Sequence, residues 1–169
     1  VLNSKQLRWG FWMQEPWTVT KTPAYTGCDI DLMKAITARI KDHYSVATLD
    51  PVFSDITVTS FFQDMQAKLD ANAIDAVLSA TTITSARATQ VDFTCPYFST
   101  MVGLLRTNRE PQIKVTAVES LNSSSITVVT LKGSTLEQYV IDHAPAANLT
   151  TVSTAAEFFA QAESSAVHV

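Results

Sequence analysis

The chain predicts an α/β fold built on parallel sheets, and two observations carry that expectation. Short β-rich runs alternate with stretches whose apolar residues recur at helical spacing, and from Leu7 to Leu78 the order is strand, helix, strand, helix, strand. Composition agrees. Of 169 residues, 46% are hydrophobic and 17% charged, which is too apolar for a disordered chain and long enough for a core without staples.

Leu7–Trp12 reads as the first strand. Ile30, Met33, Ile36 and Ile40 then fall at helical spacing behind Asp29, which is expected to cap the helix. Val46–Phe53 is the second strand, with Pro51 weakening its end. Phe61, Phe62, Met65 and Leu69 mark a second helix, and Ile74–Leu78 a compact buried strand. A polar stretch, Thr107–Pro111, separates this half from a smaller one, so the division is placed at 1–106 and 107–169.

In the second half, Thr116 and Glu119 have capping-box spacing ahead of a short helix. Ile126–Leu131 is a β-branched strand, and Leu136, Val140 and Ile141 mark a helix. Leu149–Val152 and Ala155–Glu163 repeat the pair, and Ala166–Val169 reads as a strand just begun.

Several function classes are disfavoured. The net charge of −4, without a basic run longer than two, argues against a nucleic-acid surface. Apolar stretches such as Met101–Leu105 fall far short of the roughly 18 residues that span a bilayer. Val1–Lys5 has no basic segment ahead of an apolar one, as in a processed exported chain. Cys28 and Cys95 fit no zinc pattern and are expected either as one disulfide or as two buried thiols. His43, His143 and His168 are scattered and read as surface residues, so neither metal nor cofactor is expected. GxSxG, GxGxxG and GxxxxGK[ST] are absent. Asp29 and Asp31 are read as complementing a helix dipole, and Asp75 and Asp92 as structural.

Two segments carry candidate chemistry. Strand, then Lys132-Gly133-Ser134-Thr135, then helix places N–H groups and hydroxyls at a helix N-terminus. That is either an anion site or an ordinary cap by Ser134 or Thr135. Ser79-Ala80-Thr81-Thr82-Ile83-Thr84-Ser85-Ala86-Arg87 leaves the carboxyl end of a buried strand, where ligands of parallel sheets bind. There Arg87 is either a bidentate carboxylate clamp or a solvated surface arginine.

The ordered run of Gly27-Cys28-Asp29-Ile30-Asp31-Leu32-Met33, Ile74-Asp75-Ala76-Val77, Thr82-Ile83-Thr84-Ser85-Ala86-Arg87 and Val91-Asp92-Phe93-Thr94-Cys95-Pro96-Tyr97 resembles one family. It is similar to the type 2 periplasmic solute-binding proteins for polar amino acids, related to the ligand-binding cores of ionotropic glutamate receptors. Glu15-Pro16-Trp17 and Gly133-Ser134-Thr135 stand where those receptors have Glu-Pro-aromatic and Gly-Ser-Thr.

The resemblance implies a two-lobed clamp, outside the cytoplasm, that closes on a free amino acid and hands it to a membrane transporter permease; the alternative is the sensing domain of a receptor, channel or sensor kinase. It implies Arg87 on the ligand's α-carboxylate, Thr82 presenting its backbone N–H, and Ala80 offering a carbonyl to the ammonium. Trp17 would form an aromatic wall, and Ser134 and Thr135 the helix end of the second lobe. A cyclohexadienyl dehydratase-like enzyme shares this look, but only Glu15 offers a cleft acid, so no enzyme is expected. The family's second-lobe acid would fall one position beyond Val169, and the return crossover would follow it. Asn122-Ser123-Ser124 and Asn148-Leu149-Thr150 have the form of glycosylation acceptors.

Overall fold

In the computed structural model, described here for residues 1, 3–13, 18–21, 24–56, 60–105 and 115–163, the expected alternation appears as two separately packed units. One comprises Val1–Val58 with Gln63–Pro96, the other Thr59–Phe62 with Tyr97–Val169. The expected boundary at Thr107–Pro111 and the strand at Ala166–Val169 lie outside the described residues.

The first unit is organised by β1 (Gln6–Phe11), which is flanked by β4 (Asp50–Asp55) and β5 (Ala76–Val77) in the order β4-β1-β5, all parallel. Between them in sequence run a hairpin of β2 (Val19–Lys21) and β3 (Ala24–Thr26), then α1 (Cys28–His43) and α2 (Phe61–Asp70). Side chains alternate along β1, so Leu7, Trp9 and Phe11 share one face with Ile30 and Met33 of α1 and form the core. Burying Trp9 requires a partner for its indole N–H, and it donates to Thr37 Oγ1 at 2.9 Å; that hydroxyl donates to the Met33 carbonyl at 2.7 Å. Near the amino end of β5, the Arg8 guanidinium grips the Asp75 carboxylate through Nη2 at 2.6 Å and Nε at 3.0 Å, and the Arg8 N–H adds a third bond at 2.8 Å. The structural role expected of Asp75 is therefore met.

Three expectations shift. The helix cap is Gly27, at φ 126°, whose carbonyl starts α1 by accepting the Asp31 N–H at 3.0 Å; Asp29 lies one residue inside the helix and is 1% exposed. The second strand begins four residues later than expected, because Tyr44 and Ser45 turn the chain before it extends, and Ser45 itself takes φ 51°. Pro51 sits within β4 opposite Leu7, which the sheet tolerates because β4 is an edge strand. Both thiols are free and exposed: Cys28 opens α1 and Cys95 lies in irregular chain, so neither the disulfide nor the buried thiols are found.

The second unit repeats the theme with two parallel strands, β6 (Thr127–Leu131) and β7 (Asn148–Val152). α4 (Thr135–His143) covers one face through Val128, Val140 and Ala144, and α5 (Ala155–Glu163) covers the other through Val129, Val152 and Phe158. The short helix before β6 is a 3-10 turn, Val118–Leu121, entered at Ala117; Ser120 Oγ accepts the Thr116 and Ala117 N–H groups, so the expected Thr116–Glu119 box is displaced. Asn122 and Asn148, the two acceptor-pattern asparagines, clip neighbouring turns: Asn122 Oδ1 accepts the Ala146 N–H and Asn148 Nδ2 donates to the Ser124 carbonyl, both at 2.8 Å.

Candidate functional site

Parallel strands direct their carboxyl ends to one edge, and in the first unit the chain leaving that edge is tied back by buried hydrogen bonds. The Trp12 N–H, one residue past β1, donates to Ser79 Oγ at 2.9 Å. Thr18, fully buried, donates its hydroxyl to the Trp12 carbonyl at 2.6 Å. Ser79 thus joins the ends of β1 and β5. Ser79 opens the hydroxyl-rich segment that the sequence singles out after a buried strand, whereas Thr18 carries no such signal.

The residue after Ser79 is Ala80, at φ 46°. A left-handed backbone at a residue with a side chain costs of order 1 kcal/mol and persists only where the surroundings impose it. It turns the chain sharply into Thr81 and Thr82, where Thr81 Oγ1 lies 3.8 Å from Met65 Sδ. Thr84, in extended conformation, then caps α3 (Ser85–Ala88) by accepting the Arg87 N–H on Oγ1 at 3.2 Å.

This cap places Arg87 in the first turn with its side chain folded back: Nη1 donates to the Thr82 carbonyl at 3.0 Å. Arg87 is 7% exposed, and burial lowers its pKa from the ordinary guanidinium value, although an arginine remains cationic. Of the two readings open in the sequence, the solvated surface arginine is excluded. Ala80, Thr82 and Arg87 lie together in one unit, held by local bonds.

On the second unit, Ser134 caps α4 by accepting the Glu137 N–H at 3.2 Å, and the Glu137 carboxylate accepts the Gly133 N–H in return. Gly133, at φ 71°, supplies the turn. The capping reading of Ser134 therefore holds, with Thr135 as the first helical residue. Trp17 and Glu15 lie outside the described residues.

A family model for bacterial extracellular solute-binding proteins, family 3, matches residues 7–165. The chain belongs to that family. A glutamine-binding protein of Geobacillus stearothermophilus is 30% identical over 139 residues, 82% of this chain and 48% of the relative, so the chain spans about half the length of that curated relative. Among solved structures, an ancestral amino-acid-binding protein that is a precursor of cyclohexadienyl dehydratase superposes with a TM-score of 0.81 at 27% identity, covering 99% of this chain and 70% of that one. An ancestral arginine-binding protein bound to arginine gives 0.75 at 25% identity, with 97% and 68% covered. The fold class is that of the type II periplasmic binding proteins, as the motif resemblance implied.

A buried guanidinium supplies planar, bidentate geometry for a carboxylate, and the strained Ala80–Thr82 turn fixes backbone polar groups beside it. One residue escaped the sequence reading. Asp55 ends β4 opposite Phe11, at the same carboxyl edge. Partial burial pushes its carboxyl above the ordinary value, and a hydrogen bond from the Met13 backbone pulls the other way. The sequence signal for it was weak, since only the register of an edge strand distinguishes it from Asp50.

Proposed function

We propose that this chain binds a free amino acid at the carboxyl edge of its first unit, with the ligand's α-carboxylate on Arg87. Arg87 carries the proposal: an arginine 7% exposed, anchored at 3.0 Å to the Thr82 carbonyl and set by the Thr84 cap at the end of a parallel sheet. The Thr82 backbone N–H and the Ala80 carbonyl are the assigned partners of ligand carboxylate and ammonium. Trp17, Ser134 and Thr135 are further assigned contacts, and they rest on the family resemblance. The names of the relatives, a glutamine-binding and an arginine-binding protein, support the ligand class. In this reading the protein works outside the cytoplasm, performs no covalent step, and delivers its ligand to a membrane transporter permease.

The test is a thermal-shift screen against the twenty amino acids and a few dicarboxylates, repeated with Arg87→Ala. A ligand at a hundred times its Kd stabilises by about 2.7 kcal/mol, or roughly 5–10 °C for a chain of this size. The expected result is a shift confined to a few amino acids and lost in Arg87→Ala. A cooperative melt that no amino acid moves, or a shift that survives Arg87→Ala, overturns the proposal.

A further inference from the structure

We propose that Ser79 and Thr18 are positioning residues for the binding site: their buried hydroxyls end the sheet at Trp12 and so hold the Ala80 turn where its backbone meets the ligand. The inference deepens the binding reading above and rests on it.

The sheet shows where the two hydroxyls intervene. The Gly10 carbonyl accepts the Leu78 N–H at 3.1 Å, which carries the bonding between β1 and the β5 segment to the residue before Ser79. In a parallel ladder the next rung falls two residues on, and would draw on both peptide groups of Trp12. Hydroxyls take both instead. Ser79 Oγ accepts the Trp12 N–H at 2.9 Å, and Thr18 Oγ1 donates to the Trp12 carbonyl at 2.6 Å. Ser79 is 4% exposed and Thr18 0%, so water does not compete for either bond, and removing a hydroxyl takes a bond from a buried peptide group.

The consequence passes along the chain. Ser79 closes the rung with its own side chain, and Ala80 follows at once at φ 46°, a conformation that its surroundings must impose. On the far side of the turn the Thr81 hydroxyl lies 3.4 Å from the Ser79 carbonyl and 3.8 Å from the sulfur of the buried Met65. The next carbonyl, that of Thr82, accepts Arg87 Nη1 at 3.0 Å. Ser79 to Thr82 thus connects Trp12 to the guanidinium, and Ala80 stands between the two anchored ends. Thr18 acts at one remove, because it fixes the Trp12 backbone to which Ser79 is bonded.

The measurement is the affinity for each of the twenty amino acids, by titration calorimetry at a temperature where the variants are folded. The proteins compared are the unmodified chain, Ser79→Ala, Thr18→Val, Thr18→Ser, Arg87→Ala and Thr37→Val. Thr37 is the control: its hydroxyl is as deeply buried in the same unit, but it bonds Trp9 Nε1 and the Met33 carbonyl rather than the chain around Ala80. The amino acid that the unmodified chain binds most tightly is expected to bind about tenfold more weakly to Ser79→Ala and to Thr18→Val. Thr18→Ser keeps the hydroxyl and restores the affinity. Thr37→Val lowers the melting temperature and leaves the affinity unchanged. Thr18→Val decides alone if Ser79→Ala does not fold. An affinity that the two hydroxyl deletions leave unchanged overturns the proposal, and so does one that Thr37→Val weakens as much, because the hydroxyls then act through stability alone. In either case binding that Arg87→Ala abolishes leaves the carboxylate clamp standing. Absence of binding by every amino acid overturns the clamp and this proposal together.

Discussion

Thr130 shows how a single buried atom can be left out of balance. It is 4% exposed in β6, and its Oγ1 has no hydrogen-bond partner. A buried hydroxyl without a partner loses its hydration and gains nothing in return. Thr130→Val replaces that hydroxyl with a methyl group of similar size, and the expected gain is about 1 kcal/mol, read as a higher urea midpoint at constant m. A lower midpoint would mean that the hydroxyl is bonded in solution. Gly10 is the opposite case, a position where an added atom would crowd its neighbours. A Cβ there would lie 2.5 Å from Ile74 Cδ1 and 2.8 Å from Ile56 Cδ1, so a larger residue at the centre of the sheet would have to push both side-chain ends aside. Arg87 belongs to the same scale, because one local cap and one carbonyl decide where its charge sits.

Helix ends govern the second unit. α4 and α5 both open on a hydroxyl cap, Ser134 accepting the Glu137 N–H and Thr154 the Glu157 N–H; Glu157 accepts the Thr154 N–H in return, whereas Glu137 reaches one residue further, to the Gly133 N–H. α5 contributes no buried residue, so little tertiary packing compensates for losing its cap. Thr154→Ala is expected to cost about 1 kcal/mol, seen as a lower midpoint in chemical denaturation. An unchanged midpoint would show that the end of α5 frays already. Both helices and both strands of this unit were legible, since apolar spacing is a local signal. The hairpin of β2 and β3 was not legible. Each of its strands is three residues long, too short for alternation to register, and its pairing joins residues up to seven positions apart, Val19 with Thr26. β5 failed the other way: five positions, Ile74–Leu78, were expected as strand, but only Ala76 and Val77 form one, although the Asp75 and Leu78 N–H groups on either side still donate to the Arg8 and Gly10 carbonyls of β1.

For the whole molecule, the pH dependence of stability follows from the Arg8–Asp75 pair. The guanidinium bonds hold the Asp75 carboxyl below its ordinary value. The folded state therefore binds the Asp75 proton more weakly than the unfolded chain does. The contribution of this pair is complete above the unfolded carboxylate value, near 3.9, and disappears as the pH falls through the lower folded value. Arg8 is largely solvated, so the effect is small and screened by salt. Asp75→Asn is expected to lower the melting temperature at pH 7 and to flatten its fall below pH 4. Parallel melting curves for the two proteins across that range would remove the pair from the stability account.

The sequence by itself determined the alternation of strands and helices, the parallel first sheet and the ordered motifs of a family-3 solute-binding protein. Each of these is written in spacing along the chain, in runs of a few to a few dozen residues. Only the tertiary structure decided the state of particular groups. Asp29 became a buried first-turn residue because Gly27 took the cap, and both cysteines came to the surface. Arg87 became a buried cation, and Asp55 came to stand at the same edge of the sheet as the Ala80–Arg87 segment. Burial and charge environment depend on neighbours brought in from elsewhere in the chain, such as Trp12 onto Ser79 across 67 residues. Local periodicity carries no record of such partners until the strands have paired.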